Sequence, residues 1–237
     1  MNASPDTFYS QKAGEFSVQH QFYTKKLKRF AWYRFITFLF IFAPFFIFGP
    51  KSWITLFVSL AAVVLFFYLV KKNIQLEKIK KKTAVLKKIA EDELLAISHR
   101  FSHFKNGAEF LNTDHFFSYD LDLFGEGSLF QFINRTSTIG GQQKLADWLI
   151  NPAIQNEEIL QKQEAVRELS QIPEWRMNFL ASGEMFNETK EMHHEISTWT
   201  GFDLKLKNAA LVKRLIFIIP ILTLISALPA ILGITKI

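Results

Sequence analysis

The sequence predicts an all-α membrane protein in which a transmembrane hairpin and a third span flank a cytoplasmic insert of helices. Three observations predict it. Three blocks, Trp32 to Phe48, Trp53 to Val70 and Leu215 to Ile234, each run for roughly the 17–20 apolar residues that a hydrocarbon layer requires. Lysine and arginine gather on one side of these blocks. Between the second and third, apolar residues recur at steps of three and four, with no alternation of strand and helix patterns. Of the 237 residues 49% are hydrophobic, 26 are Phe and only 10 are Gly, a mixture too apolar for disorder.

The first block contains one charge, Arg34, and the other two contain none. A core helix of a soluble domain keeps a polar stripe, and "FVSLAAVVLFFYLV" has none. Pro44, Pro220 and Pro229 are compatible with spans, because neighbouring helices re-satisfy the freed carbonyls. The first block starts too far from Met1 for a cleaved leader and is followed at once by a second. Lys25, Lys26, Lys28 and Arg29 precede the hairpin, six lysines between Lys71 and Lys82 follow it, and only Lys51 lies in its loop. The positive-inside rule therefore places both flanks in the cytoplasm. Lys205, Lys207, Lys213 and Arg214 hold the start of the third span on the same side. The expected arrangement is a multi-pass cell-membrane protein with a cytoplasmic segment 1–29, a transmembrane hairpin 30–70, cytoplasmic residues 71–214, and a third span 215–234. Membrane flanks account for most of the net charge of +6.

Within the insert, residues 71–118 form a membrane-proximal basic helix and a linker. Leu76, Ile79, Thr83, Leu86, Ala90, Leu94 and Ile97 make one seam of that helix, with lysines over the rest of its surface. The lysines read first as a solvated face; contact with anionic headgroups or with nucleic acid are the alternatives. Gly107, Gly125 and Gly127 then mark turns, and Ser128 is placed to cap a short helix carrying Leu129, Phe130, Phe132 and Ile133. Gly140 and Gly141 are expected to interrupt before a second helix through Leu145, Trp148 and Leu149, which Asn151-Pro152 ends. A third helix is expected from Asn156, with Glu157 and Glu158 at its positive dipole end and Ile159, Val166 and Leu169 as its buried stripe.

No catalytic, cofactor-binding or metal-ligating residue stands out. The chain has no Cys, which removes thiolate nucleophiles, disulfides and Cys-based zinc sites. His193 and His194 are adjacent and would point about 100° apart on a helix. His99 and His103 would share a helical face, without an evident third ligand. Asp120, Asp122 and Glu126 read as turn formers. No G-x-x-x-x-G-K-[ST] is present to cradle phosphates.

One stretch has a family likeness. "YDLDLFGEGSLFQFINRTSTIGGQQKLADWLINPAIQNEEILQKQEAVREL", Tyr119 to Leu169, resembles the start of the core domain of MutS-family ATPases. The landmarks are Gly127-Ser128-Leu129, Arg135-Thr136, Thr138 with Gly141, Trp148-Leu149, Pro152, Glu157-Glu158-Ile159 and Ala165-Val166 with Leu169. The likeness is closest to membrane-attached MutS-related proteins of bacteria and marks 119–214 as a MutS core-like helical region. It implies a helical hub that couples an ATPase to DNA-gripping elements, with Leu129, Phe132, Trp148 and Leu149 as packing residues. It further implies Gly140-Gly141 as a close turn between helices and Arg135 as a polar contact, in an ion pair within the hub or, as the alternative, a coupling residue. ATP and Mg belong, on the same implication, to the full-length family member and to no residue of this chain. DNA, the bilayer and a second copy in a homodimer are the implied partners, and mismatch repair the implied setting.

The departures from the family pattern are as informative. No mismatch-reading domain precedes the core, Phe124-Gly125-Glu126 being a chance match to its wedge motif, and a third span stands where clamp helices are expected. The expectation is an anchor-and-core segment of a longer protein, with a further span and the ATPase beyond Ile237. The alternative is a non-catalytic membrane scaffold whose insert docks a cytosolic partner.

Overall fold

The computed structural model describes residues 4–49, 52–115, 117–186, 188–201, 211 and 213–222, and every regular element among them is helical. The chain divides into two units, Met1–Lys190 and Glu191–Ile237.

The first unit is organised by two long helices, α1 (Pro5–Phe48) and α2 (Trp53–Ile97). Ser4 caps α1 by accepting the Thr7 amide, and Pro5 occupies the first turn, where its missing N–H costs nothing. Gly49, at φ 77°, ends it. At 44 residues, α1 is roughly 66 Å long. Neither helix breaks at the expected membrane boundaries near residues 30 and 70: each continues from its apolar half into its basic half. Both are long and apolar enough to cross a membrane.

The continuity has a sequence cause. In α1, Tyr9, Ala13, Phe16, His20, Tyr23 and Leu27, then Phe30, Arg34, Thr37, Ile41 and Pro44, recur at alternating steps of four and three, and none is exposed. In α2 the same repeat runs through Thr55, Ser59, Ala62, Phe66, Leu69 and Asn73, then Leu76, Lys80, Thr83, Lys87 and Ala90. An unbroken 3.5-residue repeat keeps one seam facing the partner along the whole length, which is coiled-coil packing. The two repeats run antiparallel, as the Phe38–Phe66 ring contact and the Ser59–Ile41 bond show. The hydroxyls at seam positions in the apolar half are satisfied by backbone: the Ser59 hydroxyl donates to the Ile41 carbonyl at 2.9 Å, that of Thr55 to Gly49 at 2.7 Å, and that of Thr37 to Tyr33 at 2.7 Å.

This seam corrects the expected one. Leu76, Thr83, Leu86 and Ala90 are buried, but Ile79 and Ile97 are exposed, because α1 selects the register through Asn73, Leu76 and Thr83. Leu86 and Ile89 lie beside the seam and are buried by α6 (Pro173–Glu184), through Met177 and Ala181, with Phe8 and Phe16 of α1 closing the cluster.

After α2 the chain makes turns, a single 3₁₀ turn at Ala108–Phe110, and three short helices: α3 (Leu129–Ile133), α4 (Ile139–Ile150) and α5 (Asn156–Ser170). Leu123, Phe124, Phe130 and Ala146 form their core, with the rings of Phe110, Phe124 and Phe130 5.4–5.9 Å apart. Gly107, at φ 66°, lies under the Phe130 ring, where a Cβ would come within 2.6 Å of Cδ1.

Three further expectations change. Gly140 and Gly141 lie inside the first turn of α4 rather than between helices; Thr138 caps that turn by accepting the Gly141 amide at 3.1 Å. A Cβ on Gly141 would meet the Thr138 hydroxyl and Thr136 Cβ, so the cap itself calls for glycine there. Helix α5 begins at Asn156 with Glu157 and Glu158 in its first turn, but Val166 and Leu169 are exposed: the helix touches α6 and, through Lys162 over the Trp148 ring, α4, and neither covers that stripe. His99, at φ 58°, terminates α2 instead of sharing a helical face with His103.

In the second unit, α7 (Lys190–Gly201) carries His193 and His194, and residues 213–222, which include the first eight of the third apolar block, are helical. Residues 223–234 of the expected third span lie outside the described residues.

Candidate functional site

The start of α1, the end of α2, the segment after α3 and helix α6 converge at one end of the long hairpin. The end of α2, residues 103–105, the segment after α3 and helix α6 enclose a cavity of about 180 Å³ lined by Asp92, Glu93, His103, Asn134, Arg135 and Glu184, among others. This junction concentrates most of the long-range polar bonds of the first unit.

Arg135 is its centre. Nε and an Nη of the guanidinium donate to the two Glu93 carboxylate oxygens at 2.6 and 3.2 Å, a bidentate pair. The other Nη donates to the carbonyls of Phe132 and Asn134, at the C-terminal end of α3. The plane lies 3.8 Å from the centre of the Phe104 ring. The partner, Glu93, belongs to α2, so the pair joins the MutS-like segment to the long hairpin instead of closing within the segment.

Two amides fix the loop on which Arg135 depends. Buried Gln131 donates to the carbonyls of Ser102 and Phe104 at 3.2 and 2.9 Å and accepts the Gly127 amide at 2.8 Å. Asn134 donates to the Lys105 carbonyl, while its oxygen accepts both the amide and the hydroxyl of Thr136. On the α6 side, Gly183 lets the helix close on Ser137: a Cβ there would overlap the Ser137 hydroxyl and lie 2.8 Å from its Cβ.

The cavity's charges are closely balanced. Burial pushes the Asp92 carboxyl above its usual range against the pull of His103, whose Nε2 is 3.5 Å away, and of Lys88. Glu184 is likewise raised by burial, with Lys88 opposing. Tyr9, from the first turns of α1, has its phenol raised by burial and then by the Glu93 charge. Lys12 is raised through its bond to Glu174 at the start of α6. Among the described residues no group of three or more His, Asp or Glu is arranged to hold a metal ion. The arrangement is a structural joint: bidentate pairing and loop clamping hold the helices beyond α2 onto the hairpin.

The residues singled out in the sequence fall in three places. Gly127, Ser128, Arg135 and Thr136 surround the junction, with Ser128 accepting the Gln131 amide as the cap of α3. Gly141 lies in the first turn of α4. Leu129 and Trp148 are largely exposed, Phe132 edges against Phe101, Leu149 packs on the Phe130 core and Pro152 is exposed. The principal packing residue of this segment is Phe130, which is fully buried. Glu93, Gln131, Asn134 and Gly183 carry the junction and were not singled out. Only Gly183, a lone glycine in a helical pattern, had a local signal.

Residues 109–213 match the family model of MutS domain III, which supports a relation to the MutS family. No curated protein and no solved structure matches the chain.

Proposed function

We propose that this chain is the membrane-anchoring and core segment of a MutS-related machine. In this reading the MutS-like helices couple ATP hydrolysis, carried out by an ATPase that this sequence does not contain, to DNA binding beside the membrane. ATP and Mg are held by that ATPase, the active form is a homodimer, and residues 71–214 face the cytoplasm. The observation that carries the reading is the seating of residues 109–190, the part of the match to MutS domain III that lies in the first unit, on a hairpin whose other end is inside-out. There Phe35, Phe46, Phe57 and Phe67 point outward, while Thr37, Thr55 and Ser59 face the seam. Aromatic residues on an outer surface and hydroxyls within are arranged for a hydrocarbon solvent. The Arg135–Glu93 pair is the joint through which a movement in either part reaches the other.

The test uses the full chain in phosphatidylcholine vesicles. Resistance to carbonate extraction reads insertion. Because the chain has no Cys, a Ser170→Cys variant reports sidedness through an impermeant maleimide. Binding of fluorescent duplex DNA whose affinity falls steeply with salt supports the DNA reading. An inserted chain that binds no DNA at low salt refutes that reading and leaves the second one, a membrane scaffold for a cytosolic partner. The latter is favoured by the exposed, stacked Trp175 and Phe179 rings of α6, 5.1 Å apart.

A further inference from the structure

We propose that a groove between α1 and α2, where their apolar halves give way to their basic halves, binds the phosphate of an anionic lipid headgroup. The proposal rests on the membrane reading above. The groove, about 600 Å³, is lined by His20, Thr24, Lys28, Arg34, Glu77 and Lys80, with Lys81 at its edge.

Arg34 carries the argument. It occupies a seam position in the first turns of the apolar block, and helical side chains lean toward the N-terminus of their helix. Its guanidinium therefore extends out of the apolar stretch toward the level of Asn73 and Glu77, which line the groove with it. Its Nε is buried and has no hydrogen-bond partner among the described residues. A buried cationic donor without an acceptor costs free energy that an anionic oxygen would recover.

The surroundings favour a phosphate over a protein carboxylate. Glu77, the one acid lining the groove, accepts from Asn73 at 2.8 Å and forms no ion pair with Arg34. Lys81 is engaged with the Met185 carbonyl at 2.9 Å. Lys28 and Lys80 form no ion pair among the described residues, and Thr24 donates its hydroxyl proton to His20, leaving its oxygen as an acceptor. Three cations, one with an orphaned Nε, thus line one groove at the depth where headgroups of the cytoplasmic leaflet lie. A lipid fits better than a soluble anion because the wall beside Arg34 continues into exposed Trp32 and Phe35, against which an acyl chain can lie.

The experiment is native mass spectrometry of the detergent-solubilised full chain, titrated with phosphatidylglycerol or phosphatidylcholine. Carbonate-resistant flotation of the same protein runs in parallel. The expected result is one tightly retained phosphatidylglycerol and no comparable phosphatidylcholine. The variant Lys28→Gln/Lys80→Gln should lose roughly 30-fold in affinity, about 2 kcal/mol for two lysines near a lipid surface. Arg34→Gln should lose at least as much. Lys71→Gln/Lys78→Gln, which removes equal charge from exposed positions outside the groove, should bind as the parent does. Equal retention of both lipids, or equal loss in the two lysine pairs, overturns the site. Displacement of the lipid by excess inorganic phosphate assigns the groove to a soluble anion and overturns the lipid. Should the chain fail to float, the membrane reading itself falls; a chain that floats without lipid preference loses only this site.

Discussion

Replacing Glu93 by Gln tests the joint between the MutS-like helices and the hairpin. The change keeps the size and removes the charge, leaving Arg135 with one neutral acceptor where it had two carboxylate oxygens at 2.6 and 3.2 Å. The side chains retain 27% and 18% of their accessible surface, so the pair lies between an exposed bridge and a buried one. Exposed pairs contribute about 0.2–1 kcal/mol and breaking a buried one costs about 3–5 kcal/mol; a cost of about 2 kcal/mol follows. Hydrogen exchange reads it directly, since the Thr136 amide is bonded within the loop that Arg135 holds. A loss of about 2 kcal/mol in local opening free energy speeds exchange of the peptide spanning residues 129–141 by roughly 30-fold. Arg135→Met and the double variant complete a cycle that separates the pair from the packing of Arg135 on Phe104. A coupling energy within about 0.5 kcal/mol of zero, the scatter of independent sites, would refute the assignment of the joint to this pair.

Three other outcomes follow from the same geometry. Gly183→Ala forces α6 away from Ser137 and should cost about 1–3 kcal/mol in denaturant unfolding. Ser137→Gly in that background removes both atoms a Cβ would meet and should restore most of the loss. Phe130→Ala, at a fully buried ring, should cost about 3–5 kcal/mol and expose residues 117–133 to proteolysis. Asp92 and Glu184 both hold their protons more tightly when folded, so the stability these two groups contribute is fully present below the ordinary carboxylate pKa and is lost as pH rises through the raised values. Asp92→Asn with Glu184→Gln should flatten that fall in melts recorded between acidic and neutral pH.

The sequence disclosed what local composition encodes. Uninterrupted apolar runs mark the hairpin, and the capping residue Ser128 starts α3. It disclosed the basic helix but half of its buried face, because Asn73, Lys80 and Lys87 are seam residues that no hydropathy pattern would choose. The partner helix escaped notice for the same reason: His20, Tyr23, Arg34 and Thr37 keep the spacing of a coiled coil without its usual apolarity. The expected burial of Val166 and Leu169 rested on periodicity alone, and α5 shows that periodicity identifies an apolar face without supplying what covers it. The partner of Arg135 was illegible because Glu93 lies 42 residues away on another helix, a separation that only the fold closes.

The two features that hydropathy hid belong to one arrangement. A helix that crosses from an apolar to an aqueous surrounding can end at the boundary or continue through it, and its seam decides which. In α1 and α2 the 3.5-residue repeat continues without a change of phase from Pro44 opposite Thr55 to Tyr9 opposite Ala90. No Gly interrupts either helix between Gly14 and Gly49 or from Trp53 to Ile97, and Pro44, inside α1, lies one turn from its apolar end. With no helix breaker near residues 30 or 70, the long elements have no built-in hinge at the boundary, since sharp kinks arise at Pro, Gly or inserted groups. A displacement at the Arg135–Glu93 joint is therefore carried along roughly 60 Å of paired helix. A phosphate held by Arg34 would bear on the same seam from the other side. Mutations that weaken the middle of the repeat without lining the groove, such as Leu76→Asn, should leave each end folded but reduce the effect that lipid at the groove has on exchange at Thr136. If that coupling survives them, the paired helices are a tether and nothing more.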